Sequence, residues 1–340
     1  MKGAPLPDLI RAPNHLGDLV MALPALASAP DADVLVVRAL APLVELALPG
    51  RRVIPFDRGR AGLVRVVRAL RKARYRRGVL LAPSFSSALH LVLGGVAERR
   101  GSATDGRRAL LTDPVEPAAF AGLHRAGAYH FLVTGEWPSA TPIPRIRIPE
   151  ALRERWRAQV PQRPGTPVIG IFPGGNASSR RWDADRFAAV AAELAAAGAG
   201  VVVFGGPSER ELGARVAGEV AIDVSGRTDL GLLAAGLASL DLLVTNDSGP
   251  LHLAAAVGTP AVALYGAGDP RVTGPLGSGH IVLQRSELPC VPCVRNECPR
   301  RGRGTWLPEA ERECLRLIEV ADVLAAVGSS EERISRGRAE

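Results

Sequence analysis

The run from Leu242 to Tyr265 limits the possible fold more than any other stretch. Leu242-Leu243-Val244 is apolar and short, which suits a buried strand. Leu251, Leu253 and the alanines through Val257 suit a helix that must stop at Gly258-Thr259-Pro260, and Ala261 to Tyr265 reads as the next strand. The turn between strand and helix is Thr245-Asn246-Asp247-Ser248-Gly249-Pro250. Small residues there let a ligand approach the backbone, and the free N–H groups of a helix start favour an anion. The same residues serve equally as an ordinary cap, with Asp247 or Ser248 satisfying those amides.

The rest of the chain repeats this plan. Asp8 to Arg11 reads as a short first strand running into Ala12-Pro13-Asn14-His15-Leu16-Gly17-Asp18, with an apolar helix from Leu19 to Ala29. Asp18 is therefore expected at a strand-to-helix turn on the carboxyl edge of a parallel sheet, where open α/β sheets bind ligands. A helix cap is the competing role. Val34–Val37, Val53-Ile54 and Val79–Leu81 continue as strands; Phe85–Leu93 and Phe120–Thr134 read as helices. A proline-rich connector follows from Gly135 to Pro144, with a helix expected over Glu150–Val160. At 340 residues the chain is long for one core. We expect an N-terminal domain over 1–155, a C-terminal domain over 156–328, a ligand cleft between them, and a flexible tail over 329–340.

In the second half, Val168–Phe172 and Val201–Phe204 read as strands, with helices over Ala184–Ala197 and Asp229–Ser239. Three turns should then share one sheet edge. Gly174-Gly175 with Arg180 and Arg181 offers amides and fixed positive charge suited to a diphosphate. Glu209, after Gly205-Gly206, could accept from two ribose hydroxyls. Ser248-Gly249 supplies amides for a phosphate. Singly these are common turns; together they describe a nucleotide-diphosphate site.

Charge adds a second feature. The formal net charge is +8, and all but Lys2 and Lys72 of the 42 basic residues are arginines. Arg51 to Arg77 holds eleven basic residues against one acid, Asp57. Within it Leu63, Val64, Val66, Val67 and Leu70 fit an amphipathic helix with Arg65, Arg68 and Lys72 outward. Such a face meets solvent or phosphorylated lipid headgroups. Nucleic acid is disfavoured, because an aromatic content of 4% leaves little for base stacking. Asp18 and Pro24 interrupt the one stretch resembling a signal sequence, and no apolar run reaches the length of a membrane span, so a cytoplasmic chain is expected. Cys290, Cys293, Cys298 and Cys314 cluster near the end. Cys-x2-Cys is a metal-ligand spacing, but the other gaps complete no regular zinc ribbon, leaving structural zinc and reduced thiols both open.

On these residues the chain resembles the ADP-heptose:lipopolysaccharide heptosyltransferases, most closely the heptosyltransferase II type. Arg11-Ala12-Pro13-Asn14-His15-Leu16-Gly17-Asp18 continued by Val20 to Leu26 carries the resemblance, with Ser179-Arg180-Arg181-Trp182, Gly205 to Glu209, Asn246 to His252, Gly266 to Pro270 and Thr273-Gly274-Pro275. The cysteine cluster is a further shared feature. The resemblance implies a GT-B architecture of two Rossmann-like parallel-sheet domains facing each other across a cleft. It implies an inverting transfer of a heptose from an ADP-sugar to the inner core of lipopolysaccharide, by a peripheral protein on the cytoplasmic face of the inner membrane. Asp18 falls on the catalytic aspartate, Glu209 on the nucleotide-binding glutamate and Asp247 on the sugar-site aspartate. The donor set implied is Gly174, Gly175, Asn176, Arg180, Arg181, Glu209, Thr228, Asp247, Ser248, Gly249 and His252. Asn14, His15, Gly17, Arg65 and Arg68 stand on the acceptor side. Arg180 departs from the family's usual lysine but keeps the charge and adds a bidentate fork.

Asp18 is then the expected base for the acceptor hydroxyl. Arg180, Arg181 and the amides of Ser248 and Gly249 meet the leaving-group charge, so no cofactor or metal is called for. Asp31-Ala32-Asp33 and Asp183-Ala184-Asp185 are expected to be caps, not a metal site. Competing readings are another GT-B sugar transferase, a nucleotide-sugar epimerase, a non-catalytic nucleotide-sugar binder and an anion-binding protein acting through the basic helix.

Overall fold

The computed structural model describes residues 8–161, 164–298 and 312–337. The chain divides into two compact units, Met1–Arg147 and Ile148–Glu340. The division falls ahead of the expected 155/156 boundary, because the helix Glu150–Gln159 belongs with the second unit. Its Trp156 is fully buried there and stacks on Phe204 at 5.6 Å.

In the first unit the strands are β1 (Leu9–Arg11), β2 (Asp33–Val37), β3 (Val53–Phe56), β4 (Arg77–Leu80), β5 (Glu98–Ser102) and β6 (Asp113–Val115). Helices α1 (Leu16–Ala27), α2 (Ala41–Ala47), α3 (Arg60–Ala73), α4 (Phe85–Leu93) and α5 (Arg125–Thr134) connect or cover them. The sheet order is β3-β2-β1-β4-β5-β6 and every pairing is parallel. That is the doubly wound dinucleotide-fold order, whose direction of growth reverses between β1 and β4. β1 is only three residues long yet central, with Leu9 opposite both Asp33 and Gly78. Leu9 and Ile10 are completely buried, so two apolar faces hold in place what length alone does not.

The second unit opens with α6 (Glu150–Gln159) and repeats the order. Its strands are β7 (Val168–Phe172), β8 (Gly200–Val203), β9 (Ile222–Asp223), β10 (Leu242–Asn246), β11 (Ala261–Tyr265) and β12 (Ile281–Gln284). Its further helices are α7 (Ala184–Ala196), α8 (Arg210–Ala217), α9 (Leu230–Leu237), α10 (Gly249–Val257), α11 (Pro270–Thr273), α12 (Glu313–Arg316) and α13 (Val320–Gly337). The order β12-β11-β10-β7-β8-β9 is again all parallel and reverses between β7 and β10. The two units thus carry one topology twice, as the repeated strand-and-helix pattern implies.

Several boundaries differ from expectation. The helix expected from Phe120 starts at Arg125, because Gly122 turns through φ +76° and His124 caps the new helix by accepting from the Ala126 amide. The tail expected to be flexible from 329 is helical as far as Gly337. Of the two Asp-x-Asp sequences, Asp183 is the expected cap, accepting from the Asp185 amide at 2.9 Å. Asp33 is no cap: it lies in β2, where it pairs with Arg52 at 2.9 Å and takes the Tyr75 hydroxyl. Among the described residues no helix is long and apolar enough to cross a membrane.

Candidate functional site

Most candidate residues lie at the carboxyl ends of strands at the reversal of strand order, after β1 in the first unit and after β7 and β10 in the second, with Glu209 following the adjacent β8. A crevice forms there because neighbouring crossovers go to opposite faces of the sheet.

In the first unit β1 runs out into the turn Ala12–His15 and then α1. Arg11, buried at the strand end, donates to the Ala12 carbonyl and to Asn14 Oδ1, 2.5 Å away, and its guanidinium lies 4.4 Å from the centre of the Phe56 ring. Among the described residues it has no carboxylate partner. Burial, aided by the charge of Arg58, pushes its pKa down to about 9. Beside it His90, edge-on to Phe56, is pushed down to about 4, chiefly by burial and then by Arg11, and is neutral near pH 7. This cluster fixes the turn from below. Asn14 is occupied in that brace, with its carbonyl also 3.5 Å from an Arg58 nitrogen. His15 is the exposed N-cap residue of α1 and makes no side-chain cap bond. Gly17 is buried.

Asp18 therefore sits in the first turn of α1, where the helix start favours its charge. It is partly exposed, at 30% of its side chain. The Tyr129 hydroxyl donates to Asp18 Oδ1 at 3.0 Å, and Arg125 approaches the same oxygen at 4.0 Å. Both come from α5, and neither was a candidate from the sequence. Arg65 and Arg68 are not brought to Asp18. Arg65 pairs with Asp57, which Arg38 also holds, and Arg68 points outward from α3.

In the second unit three turns meet at the carboxyl edge. Asn246, completely buried at the end of β10, ties them together. Its Oδ1 accepts from the Trp182 amide at 3.0 Å, while its Nδ2 donates to the carbonyls of Pro173 (2.8 Å) and Gly174 (3.2 Å). Glu209 braces the glycine turns, accepting from the Gly175 amide at 3.1 Å and the Gly206 amide at 2.7 Å. A Cβ on Gly174 would stand 2.0 Å from Glu209 Oε1, so only glycine admits this contact. Each carboxylate oxygen keeps lone-pair capacity for a further donor.

Asp247 is buried and faces Arg180, whose Nη1 lies 3.2 Å from Asp247 Oδ2. A Cβ on Gly268 would come within 2.2 Å of that oxygen. Tyr265 lies against the same pair, its phenol held protonated by burial and then by the Asp247 charge, while its hydroxyl donates to the Thr273 carbonyl at 2.6 Å. Arg180 is thus half of an ion pair, a partnership the sequence did not disclose. Arg181 and Asn176 are exposed. Ser248 is the N-cap residue of α10 with no side-chain cap bond, so its hydroxyl does not occupy the helix start; it lies 3.2 Å from the Thr245 hydroxyl instead. His252 is buried inside α10. Thr228 lies in the loop before α9.

The four cysteines are free thiols around α12 and the segment after β12. Burial and the neighbouring thiols push Cys314 up to about 11. Among the described residues no set of three or more His, Cys, Asp or Glu side chains is arranged to hold a metal ion.

Comparison with known proteins places the chain by sequence family and by fold. The profile of glycosyltransferase family 9 (heptosyltransferase) matches residues 63–302. Lipopolysaccharide heptosyltransferase 2 of Escherichia coli K12 is 28% identical over 299 residues, covering 79% of this chain and 85% of that protein. The protein of the same name from Salmonella typhimurium LT2 is 28% identical over 302 residues, with the same coverage. Among solved structures, E. coli ADP-heptose lps heptosyltransferase II superposes with a TM-score of 0.79 at 25% identity, over 97% of this chain and 99% of that one. An E. coli heptosyltransferase solved with ADP shares the fold, with a TM-score of 0.63 at 20% identity over 81% of this chain and 92% of that one.

Proposed function

The chain belongs to glycosyltransferase family 9, the heptosyltransferases, and on that premise we propose that it moves a heptose from ADP-heptose to the inner core of lipopolysaccharide with inversion at the anomeric carbon. The observation that carries this reading is the gathering of Glu209, Arg180, Asp247 and the open start of α10 on one edge of the second sheet, bound together by Asn246. This edge holds the donor. Glu209, already aimed by two amides, takes the ribose hydroxyls with its remaining lone pairs. The diphosphate lies against the Ser248 and Gly249 amides, where the helix start favours an anion. Arg181 and the Arg180–Asp247 pair flank it, with Asp247 turned to the sugar.

Asp18 is the base. As the acceptor oxygen bonds to the anomeric carbon, its proton passes to the Asp18 carboxylate, the bond to the diphosphate breaks, and ADP leaves with the electron pair. The growing charge on ADP is met by amides and guanidinium groups already in place, which lowers the barrier without calling on a metal ion. A protein that only bound the nucleotide sugar would have no use for a braced carboxylate at position 18.

The test is a donor panel of ADP-heptose, ADP-glucose and UDP-sugars against heptose-deficient lipopolysaccharide, with product scored by mass. Product from ADP-heptose alone is expected. Preferential transfer from a UDP-sugar would reject the donor assignment.

The acceptor is lipid-anchored, and α3 offers a surface suited to its membrane. Val66 and Leu70 are buried against the sheet, while Arg60, Arg68, Lys72 and Arg74 are exposed. We read this as peripheral contact with the anionic cytoplasmic surface of the inner membrane. Each basic group near such a surface contributes about 1 kcal/mol. Replacing Arg68 and Lys72 by Ser should therefore weaken co-sedimentation with phosphatidylglycerol-containing vesicles by about 10- to 30-fold at low salt. Equal binding of the unaltered protein to purely zwitterionic vesicles would remove this part of the reading.

A further inference from the structure

Asp18 has two carboxylate oxygens, and their surroundings differ. Oδ1 receives the Tyr129 hydroxyl at 3.0 Å and lies 4.0 Å from Arg125. Among the described residues Oδ2 takes no hydrogen bond from a protein group. Tyr129 is buried at 4% exposure in the middle of α5, which packs along α1. Nothing in the packing of a buried helix requires a phenol there; a phenylalanine would fill the same volume. The hydroxyl needs partners once buried: it donates to the carboxylate proposed as the base and interacts with the Arg125 guanidinium beside it.

From this contact we propose that Tyr129 is a positioning residue that binds Asp18 Oδ1 and so leaves Oδ2 as the oxygen that takes the acceptor proton. The inference rests on the assignment of Asp18 as base. The chemistry favours a donor at that place. A carboxylate in the first turn of a helix has torsional freedom about its own side chain, and a single strong hydrogen bond from a rigid ring removes most of it. Tyr129 suits that task because it remains the donor throughout the working range: burial first, and the Asp18 charge second, hold its phenol well above the usual value. Arg125, at the start of the same helix, lies on the same side of Asp18 as Tyr129, so both groups leave the Oδ2 side open.

The proton step balances within this scheme. The acceptor O–H bond breaks as oxygen bonds to the anomeric carbon, the proton comes to rest on Oδ2, and the Tyr129 proton stays on its phenol oxygen, donated to Oδ1 throughout.

The test uses the full chain with ADP-heptose and heptose-deficient lipopolysaccharide, and compares Tyr129→Phe, Asp18→Asn and the double variant. If Tyr129 acts through Asp18, Tyr129→Phe lowers kcat by about 10- to 100-fold, the range expected for one hydrogen bond to a charged group, with both KM values within about twofold of the unaltered protein. Adding it to Asp18→Asn then causes no further loss, because the group it positions is no longer a base. A purely structural effect, including a reduced folded fraction, would instead multiply with the Asp18→Asn loss, and that result overturns the proposal. So does a Tyr129→Phe variant that turns over like the unaltered protein while Asp18→Asn is inactive, an outcome that leaves the base assignment standing. Full turnover by Asp18→Asn would remove that assignment itself, and this inference with it.

Discussion

Asp18→Asn is expected to lower kcat by about 100- to 10,000-fold, the range a positioned general base contributes, with ADP-heptose affinity unchanged. The substitution isolates chemistry because the surroundings tolerate it. Asparagine has the shape of aspartate and keeps an oxygen able to accept from the Tyr129 hydroxyl. The contact with Arg125 is long, at 4.0 Å, and both side chains are about one-third exposed, so the lost ion pair costs well under about 1 kcal/mol. Thermal unfolding should therefore barely move, and calorimetric titration with ADP-heptose should give the same Kd. If turnover fell only because the donor bound less tightly, Asp18 would belong to donor binding and another base would be needed. Turnover like that of the unaltered protein would end its role altogether.

Much of the fold was readable because parallel strands buried on both faces must be apolar throughout. Val168–Phe172 and Ala261–Tyr265 stand at the limits their apolar runs predicted. The strand Glu98–Ser102 gave no such signal. Its sequence is Glu-Arg-Arg-Gly-Ser; backbone pairing to β4 and β6 holds it in place, with charged side chains matched along it, Arg77 with Glu98 and Arg100 with Asp113. Periodicity is blind to strands stabilised in this way.

The site divides along a similar line. Asp18, Glu209 and Asp247 were legible because each follows a strand in a turn of small residues, and topology alone sends such turns to one edge. Their partners were not. Tyr129 meets Asp18 across 111 positions of sequence, and within its own helix it looks like any other core aromatic. Asn246 was visible only as part of a recurring turn. That its amide joins the Pro173–Gly174 and Trp182 backbones depends on the register of β10 against β7, which no local pattern encodes. The sequence offers Arg180 as fixed positive charge for a diphosphate, and its pairing with Asp247 changes what that residue can offer.

That pairing sets up a second large effect. Asp247→Asn should destabilise the protein by about 3 kcal/mol, because removing one member of a buried ion pair leaves the other with an uncompensated charge. Asp247 is 3% exposed at its side chain and Arg180 28%, so the guanidinium cannot turn fully to water in exchange. Gly268 closes over the carboxylate and Tyr265 packs against it, which denies the site room to relax. Two further results follow from the same cause. Replacing Arg180 by Met in the Asp247→Asn background should recover part of the lost stability, since it removes the orphaned charge. An anion should do the same from outside, so saturating ADP should raise the unfolding temperature of Asp247→Asn more than that of the unaltered protein. Thermal unfolding with and without ADP measures all three. Were Asp247→Asn as stable as the unaltered protein, or indifferent to both rescues, the Arg180–Asp247 pair would not be a stabilising contact of this edge, and the diphosphate would have to draw its charge partner from Arg181 and the α10 amides alone.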